Sequence, residues 1–169
     1  DLRVIATGSS SFDLSDKVNE PLTGRKIEFL LYPFSVSELR SVYSDMEIDR
    51  LLAKRIVYGS YPEIALSDGD EVEKLKNLVS SYAYKDVLAY QNIRNPEMIE
   101  KLLQALALQV GNEVSYNELA SLVGVEKNTI ASYIRILEKA FIIYRLRPFS
   151  RNLRNELKKL RKIYFIDNG

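Results

Sequence analysis

The sequence predicts a mainly α chain with small β elements: the end of a parallel α/β sheet, a helical lid or linker region, then a winged helix-turn-helix. Three observations lead there. Apolar residues recur at helical spacing between Ser35 and Asn112. Two short apolar runs near the start read as strands buried on both faces. Residues 113–166 then run helix, glycine turn, helix, hairpin. The boundaries that follow are 1–33, 34–92 and 93–169.

Taken in order, Leu2-Arg3-Val4-Ile5-Ala6 is the first expected strand, closed by Thr7-Gly8-Ser9-Ser10-Ser11. Ile27 to Tyr32 is the second, ended by Pro33. Two strands cannot bury both their faces, so these residues are expected to belong to a sheet in a longer chain. Ser37-Glu38-Leu39 opens a helical stretch through Leu51-Leu52, broken at Gly59-Ser60-Tyr61-Pro62-Glu63. Val72, Leu75, Leu78, Val79, Tyr82 and Val87 predict a long helix over roughly 71–91. Asn95-Pro96-Glu97 starts the next, which carries Ile99, Leu102, Leu103 and Leu106 to Gly111.

The last segment is the most regular. Helices are expected over 117–123 and 128–139, joined by Gly124-Val125-Glu126, with strands over 141–146 and 161–166. Leu119, Val123, Val125, Ile130 and Ile134 supply a small core, and Ala120 permits close helix approach. The residues expected to face a groove are Lys127, Asn128, Thr129, Ser132 and Arg135; Asn and Arg can read base edges bidentately. Helix capping is the competing role for Asn128 and Thr129.

Charge is distributed unevenly. The whole chain carries 24 Lys+Arg against 23 Asp+Glu, so net charge names no partner. Residues 113–139 hold three bases and four acids, poor for a helix in a groove. Residues 145–169 hold eight bases, among them Arg147, Arg151 and Arg154, against two acids. A basic wing of this kind suits phosphate contacts with double-stranded DNA. Asp68, Asp70, Glu71 and Glu73 fit the acid-rich start of a helix better than a metal site. Tyr82, Tyr84 and Tyr90 fit a packing face better than a base-stacking platform.

Composition removes several chemistries. The chain lacks Cys and His, which excludes thiol nucleophiles, disulfides, His-based triads and Cys/His zinc sites. No run approaches the roughly 18 apolar residues of a membrane span, and no secretory signal is visible, so a cytoplasmic protein is the expectation.

The order of three segments carries a resemblance. Val4-Ile5-Ala6-Thr7-Gly8-Ser9-Ser10-Ser11, Leu22-Thr23-Gly24-Arg25-Lys26 and Tyr32-Pro33-Phe34-Ser35-Val36-Ser37-Glu38 together resemble the last part of an AAA+ ATPase core. The specific likeness is to prokaryotic AAA+ proteins with a C-terminal DUF4143 domain. Gly59-Ser60-Tyr61-Pro62-Glu63, Tyr84-Lys85-Asp86-Val87 and Lys162 to Gly169 resemble later segments of that family. The resemblance implies a sensor-1 strand ending at Ser9 and Ser10, either of which would orient the attacking water. It also implies that Arg25 is an arginine finger, in cis or toward a neighbouring subunit of a homo-oligomer. The catalytic candidates by resemblance are therefore Ser9, Ser10 and Arg25. ATP and Mg²⁺ are implied for the full-length protein only, because the phosphate loop G-x-x-x-x-G-K-[ST] does not occur in these residues. The segment alone is expected to be inactive and to pack on the remainder of the ATPase core. The competing readings are a non-enzymatic winged-helix DNA-binding regulator and a protein-interaction module.

Overall fold

A computed structural model describes residues 4–8, 27–80, 96–146, 148 and 160–169. They fall into two compact units: 27–80 with 166–169, and 96–146, 148 and 160–165 with 4–8.

The first unit is helical, with α1 (Val36–Leu39), α2 (Asp45–Tyr58), α3 (Pro62–Ala65) and α4 (Glu71–Leu78). The stretch expected as one helix from Ser37 to Leu52 is two, because two serines start helices nine residues apart. At Ser35 the hydroxyl accepts from Glu38 N, and the Glu38 carboxylate accepts from Ser35 N at 2.9 Å. Ser44 and Glu47 repeat that reciprocal box. These hydrogen bonds hold the Glu38 and Glu47 carboxyls below their ordinary range. Pro62 begins α3, where its missing N–H costs nothing.

Few apolar residues are buried in this unit: Leu39, Ile48 and Ile64. Polar ties supplement them. Lys54 on α2 pairs with buried Glu71 at the start of α4 and donates to Ser67 O at 3.0 Å. Glu71 also accepts from Gly69 N at 3.0 Å, in a turn where Gly69 has φ +98°. The ammonium of Lys54, then the Gly69 amide, hold the Glu71 carboxyl down at about 2. Asp70 pairs with Lys74 one turn on, at 3.0 Å. Asp70 and Glu71 are therefore each engaged by a lysine.

The two expected N-terminal strands find no partner among the described residues. Residues 4–8 and 27–32 form no ladder, and their apolar side chains are exposed, Ile5 to 91% and Leu31 to 96%. Parallel strands form only against neighbours that supply the missing hydrogen bonds, and no described strand lies beside them. The described part of the helix expected over 71–91 is α4, and Tyr82, Tyr84 and Tyr90 lie outside the described residues.

The second unit holds α5 (Pro96–Ala107), β1 (Glu113–Val114), α6 (Tyr116–Val123), α7 (Lys127–Lys139), β2 (Ile143–Leu146) and β3 (Arg161–Phe165). Helix α5 stops at Ala107, short of the expected Gly111. The sheet is antiparallel with order β1-β3-β2, and Tyr144 stacks on its register partner Tyr164 at 5.5 Å. Ile99, Leu102 and Leu106 of α5 meet Leu119 and Val123 of α6, Ile130, Ile134 and Leu137 of α7, and the inward strand residues Val114, Ile143 and Ile163 in one core.

Two turns place α7. Gly124, with φ +81° and ψ +35°, caps α6 through its N–H to Ala120 O. After α7, Phe141 takes φ +54°; its N–H reaches Glu138 O while Ile142 N–H reaches Leu137 O. That is a Schellman closure with phenylalanine where glycine is usual. It delays the strand expected from 141 until Ile143. No described helix is long and apolar enough to cross a membrane.

The depressed Glu71 carboxyl sets a pH expectation. Its folded value lies below its unfolded one, so its stabilisation is complete above about 4.5 and is lost as pH falls toward about 2. Glu71→Gln should lower the thermal midpoint at pH 7 and make the midpoint less steep between pH 4.5 and 2. Thermal melts across that window check it; an unchanged slope would refute the tie.

Candidate nucleic-acid interface

The helix–turn–helix presents α7 with one buried face and one polar face. Ile130, Ile134 and Leu137 are buried. Asn128, Ser132, Arg135 and Lys139, at i, i+4, i+7 and i+11, share the opposite side by the 3.6-residue period. Asn128, Arg135 and Lys139 are exposed, and Ser132 is half-buried. Lys127 (exposed) and Thr129 (half-buried) flank this stripe.

Capping does not account for Asn128 or Thr129. The N-cap is Glu126, with no side-chain cap hydrogen bond, and Thr129 N–H bonds to Glu126 O at 3.0 Å. The capping role considered from sequence is thus corrected, and the Asn128 amide stands on the exposed first turn.

Glu138, at the end of α7, pairs with Arg145 of β2. The carboxylate, with Tyr116 beside it as a lesser cause, raises the guanidinium further above its ordinary range. One base of the basic stretch is therefore turned to its own helix. This tie fixes α7 against the sheet and removes one acid from the balance of the helix.

Among the sequence-based candidates, the structure brings Asn128, Ser132 and Arg135 together, with Lys127 and Thr129 at the margin. Ser9, Ser10, Arg25, Arg147, Arg151 and Arg154 lie outside the described residues. No cluster of three metal-ligating side chains occurs among the described residues. Sequence reasoning missed two features of the helical unit. One is Arg55, stacked 5.5 Å over Tyr43, whose buried guanidinium nitrogens find no hydrogen-bond acceptor among the described residues. The other is Asp167, whose carboxylate reaches Ser60.

Comparison with known proteins adds two matches within the chain. Residues 49–169 match a family described as a domain of unknown function, DUF8612, and residues 1–40 match an AAA domain. The second family is thus DUF8612, which corrects the likeness to DUF4143. An uncharacterized protein of Haemophilus influenzae is 26% identical over 176 residues, covering 98% of this chain and 44% of that protein. Two uncharacterized proteins of Methanocaldococcus jannaschii are 29% and 26% identical, covering 97% and 96% of this chain and 41% and 40% of theirs. The chain therefore spans about two-fifths of the length of these relatives. No solved structure matches it significantly.

The geometry separates support from surface. Glu138→Ala should cost about 1 kcal/mol, since the pair is partly exposed. Asn128→Ala and Arg135→Ala should each stay within about 0.5 kcal/mol of wild type. Denaturant unfolding tests both; a larger loss at Arg135 would make it a structural residue.

Proposed function

The chain belongs to the DUF8612 family, and from that premise we propose that it is the part of an AAA-type ATPase that follows the nucleotide-binding loop, carrying a winged helix that contacts double-stranded DNA. The observation that carries the ATPase half is the AAA match over residues 1–40, directly ahead of the family segment. The exposed apolar runs at 4–5 and 27–32 support it: Phe29 is 82% exposed and Leu31 96%. Such runs suit strands of a sheet completed by more of the chain. On this reading Ser9 or Ser10 orients the attacking water and Arg25 stabilises charge on the transferring phosphoryl group. ATP and Mg²⁺ would be bound by the full-length protein, with the phosphate loop supplied from outside these residues. Arg25→Ala in the full-length protein should slow hydrolysis by about 10³-fold or more while changing ATP affinity far less. Steady-state hydrolysis and nucleotide titration measure the two separately; an unchanged rate excludes the finger.

The DNA half rests on the exposed Asn128, Ser132 and Arg135 stripe beside a stretch of eight bases over 145–169. Arg147, Arg151 and Arg154 would meet phosphates, and the α7 stripe would meet base edges. The near-neutral charge of 113–139 favours one alternative, a winged helix that docks on protein. Salt dependence separates them. Arg151→Ala with Arg154→Ala should weaken duplex binding and reduce the salt slope by about 2. Equal affinity and slope in the double variant would leave the protein-docking reading.

A further inference from the structure

The turn between α2 and α3 is held from two sides. Its Ser60 carbonyl accepts from Phe34 N at 2.9 Å. Its Ser60 N–H donates to Asp167 Oδ2 at 2.7 Å, across 107 residues of sequence. The second oxygen of the same carboxylate, Oδ1, accepts from Gly169 N at 2.9 Å.

Two glycines shape the seat. Gly59 is buried, has φ +81°, and lies under the carboxylate so closely that a β-carbon would overlap Asp167. A β-carbon on Gly169 would collide with the Tyr58 carbonyl. A half-buried carboxylate that accepts two backbone N–H groups is a strong, directional fastening. The fit is specific on both partners: the turn offers the donor and the space, and the Asp167–Gly169 segment fills both.

The sequence positions of the three fastened points give the seat its meaning. Phe34 follows the apolar run 27–32 and lies within the AAA match. Asp167 follows Phe165, the last residue of the central strand β3, after one intervening residue. Ser60 thus joins the exit of one segment to the exit of the other.

We propose that Asp167 is a latch through which a displacement at Phe34 is passed to β3, so that the state of the nucleotide-binding part is felt by the helix–turn–helix unit. The nucleotide half of this proposal rests on the ATPase reading above; the latch itself does not.

Hydrogen exchange on the full-length protein tests it, with Asp167→Ala, Asp167→Asn and the exposed Asp49→Ala as control. Without nucleotide, Asp167→Ala should speed exchange at the Ser60 amide by about tenfold or more, and Asp167→Asn by less, because one acceptor oxygen remains. A non-hydrolysable ATP analogue should change exchange in β3 of wild type and the Asp49 variant, and leave β3 of Asp167→Ala unchanged. Unaltered Ser60 exchange in Asp167→Ala overturns the latch. A β3 response to nucleotide that persists in Asp167→Ala, despite faster Ser60 exchange, overturns its role as the relay. Wild-type protein that binds no nucleotide refutes the ATPase reading and with it the relay, while the latch stands or falls on Ser60 alone.

Discussion

Strand β3 is the constraint on which the helix–turn–helix unit depends. It lies between β1 and β2, which make no pairs with each other. The two residues of β1 are too few to persist alone. Burial of Ile163 among Val114, Ile143 and the helices favours the pairing of β3 with both neighbours. Once β3 is in place, α7 has a floor to rest on and its polar face points away from the core.

The two units are held by different physics. The helix–turn–helix unit has a continuous apolar core contributed by three helices and three strands. The helical unit buries Leu39, Ile48 and Ile64 and relies on polar geometry: two serine capping boxes, the Lys54–Glu71 tie and the Asp167 seat. Apolar cores are insensitive to pH, whereas carboxylate ties weaken as their acids protonate. The same unit leaves Phe29, Leu30 and Leu31 exposed. Exposed runs of that size are characteristic of surfaces that meet a partner.

Much of this was legible in the chain. The spacing of Leu119, Val123, Gly124, Ile130 and Ile134 identified α6, its turn and α7, because local periodicity and a required positive φ leave few alternatives. The stripe of Asn128, Ser132 and Arg135 follows from the same period. The break at Ser44 was readable as a second serine–glutamate box but was hidden by an unbroken apolar pattern. The delayed start of β2 was not readable, since phenylalanine gives no signal for a left-handed turn. Nor was the Asp167 seat: each partner looks like an ordinary turn, and only the fold brings Ser60 and Asp167 together. The strands expected near the start had the right composition, but a ladder is a property of neighbours and not of one segment.

The electrostatics of α7 constrain how the proposed interface could work. Residues 113–139 carry three bases and four acids, and Glu138 is occupied by Arg145. A surface so balanced releases few counterions and contributes little sequence-independent affinity. On the proposed reading the basic stretch after β2 would have to supply that affinity, while the helix would supply orientation and the neutral amide of Asn128 selectivity. Because Arg145 is held by Glu138, the basic stretch begins from a point fixed to the end of α7. Near neutrality of the helix would limit binding by α7 alone.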